Sequence, residues 1–312
     1  MRRAGYECRV LAEEGGSYEE NPPHILEFIR RDLRWCHGNM QYFKLLGEPG
    51  LKLTSRIQLV LAILMFIGSP AWMLFVLTAT GALAFPQWVP IDMQVFGPGY
   101  LLFALIMTML FAPKFASIFD ILLRSKLRNR YGGAGYILTG AFFEIIFSMM
   151  LAPIMAVANT IFLFKLFVLR KSKGWAQQDR KTSALPFSVT AKHLWPQMLF
   201  GLIGFTVIFS GDKADWVTIA MCIPVFVGPL FVLPFAISSS HPGLGQLAAR
   251  FGLWHLPEEK IPPVIIRALH LPAVMQRSSG SEPQHVRSPL STEDLLDTGS
   301  DVEQVIVNQT SR

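Results

Sequence analysis

From Ile57 to Ile91 the chain carries no Asp, Glu, Lys or Arg, and from Met93 to Pro113 there is again none. Each run is long enough for a helix to cross a hydrocarbon core of about 30 Å. A buried core in a water-soluble domain does not need runs this long. The whole chain of 312 residues is 51% hydrophobic and only 16% charged, which departs from the soluble average in the same direction. The expected fold class is mainly α: a polytopic bundle of membrane helices flanked by interfacial amphipathic helices.

The apolar blocks fall at roughly 57 to 84, 99 to 123, 136 to 169, 195 to 211 and 216 to 238. Their flanks suggest a topology. FPQWVPIDMQVFGPG has one acid and no Lys or Arg, whereas RSKLRNR carries four basic residues and RKSKGWAQQDRK five against one acid. The positive-inside rule then makes the first loop external and the next two cytoplasmic. On that reading block 136 to 169 starts and ends on one side. Pro153 sits in its middle, where a tight hairpin could form, so the expectation is about six crossings including a short hairpin, with both termini cytoplasmic. No internal repeat of the transporter kind is visible.

Ahead of the first block, SYEENPP predicts a helix starting near residue 22, with Asn21 as its cap and Pro22 and Pro23 in the first turn. Ile25, Phe28, Ile29, Leu33, Cys36, Met40, Phe43 and Leu46 recur at three- and four-residue spacing, with arginines and His37 on other faces. That pattern predicts an amphipathic helix over 24–50, suited to the membrane interface and ended by EPG. The transmembrane bundle is expected over 51–240. Beyond it, GQLAARFGLWHL predicts a second interfacial helix within a cytoplasmic segment at 241–274, and 275–312 has the polar composition of a disordered tail.

Charged and polar residues inside the blocks are candidates for function. Glu144 has no basic partner identifiable from sequence, and its plainer role is a packing residue. Lys114 and Lys165 are placed to snorkel, Asp120 and Arg124 to form an interfacial ion pair, and Asn159 to make a helix–helix hydrogen bond. Cys8, Cys36 and Cys222 show no paired spacing, and the histidines no ligand spacing, so no metal site is expected within this chain. The first fifteen or so residues have no apolar stretch and read neither as signal nor as anchor. The net charge of +6 gathers in short loops beside the apolar blocks, which argues against a nucleic-acid partner.

One short run asks for more than a membrane role. RRDLRWCHGN, residues 30–39, places Arg31 and Arg34 three apart on one helix face, with Trp35 beside them. Planar guanidiniums suit a diphosphate, and an indole offers a sugar ring an apolar face. The spacing alone equally fits a basic helix facing lipid headgroups.

RRDLRW resembles the QxxRW element of processive, membrane-embedded family 2 glycosyltransferases. GGSYEENPP, RRDLRWCHGN and YGGAGYILTGAFFEIIFSMMLAP resemble one branch of them, the glucans biosynthesis glucosyltransferases H of osmoregulated periplasmic glucan synthesis. The resemblance implies an inverting transfer of glucose from UDP-glucose to a growing β-glucan at the bacterial inner membrane. It implies that Arg31 and Arg34 contact the UDP pyrophosphate and that Trp35 borders the acceptor glucose. Gly15, Gly16, Ser17 and Tyr18 would line the approach. Arg31 stands where the wider family has Gln, which keeps a donor and adds charge. The family's metal-binding DxD and its aspartate base would precede Met1, so the chain is expected to be a C-terminal portion, inactive alone. Residues 1–23 would be the end of the glycosyltransferase domain. The divalent metal, Mg or Mn, would belong to the complete enzyme, and an upstream catalytic polypeptide is a possible partner. The rival reading is a non-enzymatic membrane subunit or channel for glycan.

Overall fold

The computed structural model describes residue 6 and residues 21–85, 97–170, 184–210, 216–254 and 256–257, all within the unit Met1–Pro257. The described residues are helical, without strands. The first helix, α1, spans Ile25–Met40, and a single turn, α2, follows at Tyr42–Leu45. The cap of α1 is His24, not Asn21: its Nδ1 accepts from the Glu27 amide at 3.3 Å. His24 is extended, the conformation a capping residue needs, and Pro22 and Pro23 precede the helix and do not form its first turn.

Then come the apolar helices. α3 spans Leu53–Ala84, α4 Gly97–Leu123 and the short basic α5 Ser125–Arg130. α6 spans Ala134–Phe167, α7 Phe187–Ser210, α8 Trp216–Leu230, α9 Val232–Ser240 and α10 Pro242–Arg250. Among the described residues α3, α4 and α6 are long and apolar enough to cross a membrane; α8 and α9, bent by 64° at Phe231, make a fourth if they count as one broken span. Large apolar side chains such as Leu101, Met109 and Phe75 are exposed on α3 and α4, as a lipid-facing surface requires.

The hairpin expected at Pro153 does not form. α6 is one unbroken helix of 34 residues, about 51 Å at 1.5 Å per residue. A proline in mid-helix costs one backbone hydrogen bond, whereas a turn within apolar surroundings would strip several amides of partners. No Gly or Asn turn signal flanks Pro153 to favour the turn. The hairpin within the expected bundle is thus replaced by one straight-through helix, and among the described residues three helices, or four with the bent pair, are long and apolar enough to cross.

α1 lies against the C-terminal half of α6. Ile25, Leu26 and Ile29 enter a buried cluster with Ile154 and Ala158 of α6, Leu194 of α7 and Val232, Leu233 and Ala236 of α9. Farther along α1, Cys36 and Met40 meet Ile63 and Phe66 of α3 and Leu163 of α6. Ile25, Ile29, Cys36 and Met40 are among the apolar positions read from sequence, Leu26 is an addition and Phe28 falls on the other face; burying the rest turns that remaining face of α1 away from the bundle. α8 packs closely on both neighbours: a Cβ at Gly228 would overlap the Met150 carbonyl of α6, and one at Gly201 the backbone at Leu230.

Candidate functional site

The face of α1 that does not pack on the bundle carries Phe28, Arg31, Arg34 and Trp35. At about 100° per residue, Arg31 and Arg34 lie about 60° apart, with Trp35 about 40° beyond Arg31 on its other side. The Arg31 guanidinium sits 5.0 Å from the Trp35 ring centroid and 5.2 Å from that of Phe28. Cation–π contact on both rings holds that guanidinium on the outer surface of the helix. Trp35 is 55% exposed, and Arg34 is half-buried. The structure thus brings Arg31, Arg34 and Trp35 together. Gly15, Gly16, Ser17 and Tyr18 lie outside the described residues.

The third arginine is engaged differently. Arg30 donates to Glu27 one turn earlier, and Glu27 is almost wholly buried with its second oxygen unpartnered. That pair neutralises one charge beside Arg31 and Arg34. Two guanidiniums three residues apart can each donate two parallel hydrogen bonds, a geometry suited to adjacent phosphates. The free edge of Trp35 offers apolar surface next to them. One indole face is covered by Arg31, so a sugar ring would stack on the other.

Beneath this face α1 is tied to the bundle by polar contacts as well as apolar ones. Asp32 Oδ2 accepts from Asn159 Nδ2 of α6 at 2.9 Å. His37 meets Phe162 edge-on, and Phe43 meets Phe167. Cys36 is fully buried, and its thiol pKa is pushed up to about 12, by burial first and by the Asp32 carboxylate second. It is a packing residue, inert as a nucleophile near neutral pH.

Two partnerships escape a reading of sequence. Glu144, expected to lack a basic partner, pairs with Lys114 of α4 at 2.7 Å, so Lys114 reaches sideways rather than toward headgroups. The signal was there: Lys114 precedes the end of α4 by nine residues and Glu144 follows the start of α6 by ten, so antiparallel helices joined by α5 set them level. Asn159 makes the helix–helix hydrogen bond expected of it, but its partner Asp32, 127 residues away, carried no such signal. Asp120 and Arg124 form the expected pair at 2.9 Å. Among the described residues no three His, Cys, Asp or Glu side chains converge as metal ligands.

No family model and no solved structure matches the chain. Curated proteins do. The chain is 28% identical to glucans biosynthesis glucosyltransferase H of Shewanella oneidensis, over 95% of this chain and 41% of that protein. It is 30% identical to proteins of the same name from Pseudomonas fluorescens, over 86% of this chain and 32% of that protein, and from Rhodopseudomonas palustris, over 86% and 38%. The chain therefore spans well under half the length of the curated relatives it matches.

Proposed function

Because the chain is a relative of the glucans biosynthesis glucosyltransferases H along most of its own length, we propose that it serves as the membrane-embedded part of a glucosyltransferase that builds β-glucan from UDP-glucose. Its role is to grip the leaving group. An acceptor glucose hydroxyl attacks C1 of the donor, the bond from C1 to the diphosphate breaks, and negative charge grows on the departing UDP. Arg31 and Arg34 neutralise that charge, an interaction that strengthens as the bond lengthens. Trp35 borders the acceptor sugar. The base that takes the hydroxyl proton is supplied from outside the described residues. α1 lies at the cytoplasmic face of the inner membrane, and the bundle behind it helps to pass the product outward.

The observation that carries this reading is the pairing of Arg31 and Arg34 beside a half-exposed Trp35, on the face of α1 turned away from the apolar bundle. An ordinary headgroup-facing helix would share the charge but has no need of diphosphate selectivity. The test is equilibrium binding of UDP and of uridine to the chain in lipid nanodiscs. UDP should bind weakly and uridine more weakly still, and Arg34→Ala should cut UDP affinity about tenfold, the loss of one charge-assisted hydrogen-bonding group. Equal affinity for both ligands, unaffected by Arg34→Ala, would rule the reading out.

A further inference from the structure

Between the two arginines lies Asp32, which the grip on the diphosphate leaves unused. Its carboxylate turns inward and accepts a hydrogen bond from the Asn159 side chain of α6 at 2.9 Å. Asn159 is 6% exposed, and its own Oδ1 has no hydrogen-bond partner. The side chain is thus committed to donating toward α1 while its acceptor goes unmet, an arrangement poor in stability but specific in direction.

Direction is what the rest of the contact lacks. Ile25, Leu26, Ile29, Cys36 and Met40 bury α1 through apolar packing, which tolerates a small roll of the helix. A hydrogen bond between a fixed amide and a carboxylate does not. With Asp32 held against α6, Arg34 lies about 200° around the helix in one sense and Arg31 about 100° in the other, so both are turned outward. A roll that broke the bond would swing both arginines through the same angle, carrying one of them toward the apolar bundle and both off the direction they share.

We propose that Asn159 is a positioning residue for the nucleotide site: by donating to Asp32 it fixes the rotation of α1 at which Arg31 and Arg34 together face the diphosphate of a nucleotide sugar. The inference rests on the reading of α1 as the UDP-gripping helix. It adds that a residue of a membrane-spanning helix, 125 positions from Arg34, sets the affinity for a ligand bound outside the bilayer.

The test uses the whole chain in nanodiscs in a Cys8→Ser, Cys222→Ser background, with UDP affinity, thermal midpoint and the alkylation rate of Cys36 as readouts. Cys36 lies on the packed face of α1 and reports its rotation. Asn159→Leu keeps the volume and removes both the donor and the unmet acceptor. It should lower UDP affinity about tenfold and speed Cys36 alkylation, while moving the midpoint by less than about 2 °C. Asp32→Leu should lower UDP affinity likewise, whereas Asp32→Asn retains an acceptor oxygen and should keep affinity within about threefold of the parent; Cys36 alkylation reports rotation in Asn159→Leu only, since losing the Asp32 carboxylate by itself eases thiol ionisation. Unchanged affinity and unchanged alkylation in Asn159→Leu would overturn the proposal. So would a loss of affinity that follows a fallen midpoint and is equally large in Asp32→Asn, since that is a merely structural role. If Arg34→Ala leaves UDP affinity intact, the nucleotide reading fails by itself, and the Cys36 rate still decides whether Asn159 sets the rotation of α1.

Discussion

Removing Lys114 alone should damage this fold more than removing Lys114 and Glu144 together. The two side chains pair at 2.7 Å between α4 and α6, and they are level with one another. Glu144 follows the first residue of α6 by ten positions, about 15 Å along an axis of about 51 Å, so it lies in the outer part of the span and not at its centre. The Lys114 side chain is 24% exposed and that of Glu144 55%, on helices whose exposed residues include Phe115, Phe119, Phe143 and Ile146. Lys114→Met leaves the carboxylate there without its counter-ion, at a cost below the about 2.5–3.5 kcal/mol that insertion scales give for a lone charge at helix centre. Glu144 can recover part of that by taking a proton, so a loss of about 1–3 kcal/mol is expected. The double variant Lys114→Met, Glu144→Gln removes both charges and should be within about 1 kcal/mol of the parent, as neutral replacements of ion pairs in apolar surroundings often are. Denaturant unfolding in detergent micelles, followed by a probe on α4, reads all three. A double variant as unstable as the sum of the singles would refute the pairing argument, because it would mean each residue acts without the other.

Three further outcomes follow from packing and ionisation. Gly228→Ala should destabilise by about 1–3 kcal/mol through overlap with the Met150 carbonyl, whereas Gly68→Ala on α3, whose Cβ would meet nothing, should be neutral or stabilising by up to about 1 kcal/mol; thermal unfolding distinguishes them. Cys36 should resist alkylation at pH 8 in the folded chain and react freely once unfolded, as mass spectrometry can follow. Its thiol pKa is raised on folding, so the stability it contributes is whole below the ordinary value near 9.0 and drains away as pH climbs toward about 12. The difference in unfolding free energy between the parent and Cys36→Ala should therefore shrink across that interval, and a constant difference would contradict it.

Much of this architecture could be read from the sequence because the bilayer imposes a crude and strong rule, and charge-free runs cannot be hidden elsewhere. The run 57 to 84 became Leu53–Ala84, and 99 to 123 became Gly97–Leu123. α7 begins at Phe187, eight residues before the apolar block, because SVTAKH is polar yet free of helix breakers. Pro153 misled the topology, since a proline signals a break in water more reliably than within an apolar helix, where the backbone has no alternative partner. The helix bearing Arg31, Arg34 and Trp35 was legible through its amphipathic spacing. What held it in place was legible only in part: Asn159 was expected to make a helix–helix hydrogen bond, but only the folded chain shows that Asp32 of α1 accepts it, at 2.9 Å.

Photolabelling asks the central question most directly. A UDP analogue with a photoreactive group on its terminal phosphate would be irradiated with the chain in nanodiscs, and the adducts located by peptide mass spectrometry. Adducts concentrated between Arg31 and Trp35, suppressed by excess UDP and not by uridine, are the predicted result. Labelling spread over the apolar helices, or on α1 but indifferent to UDP, would contradict the account.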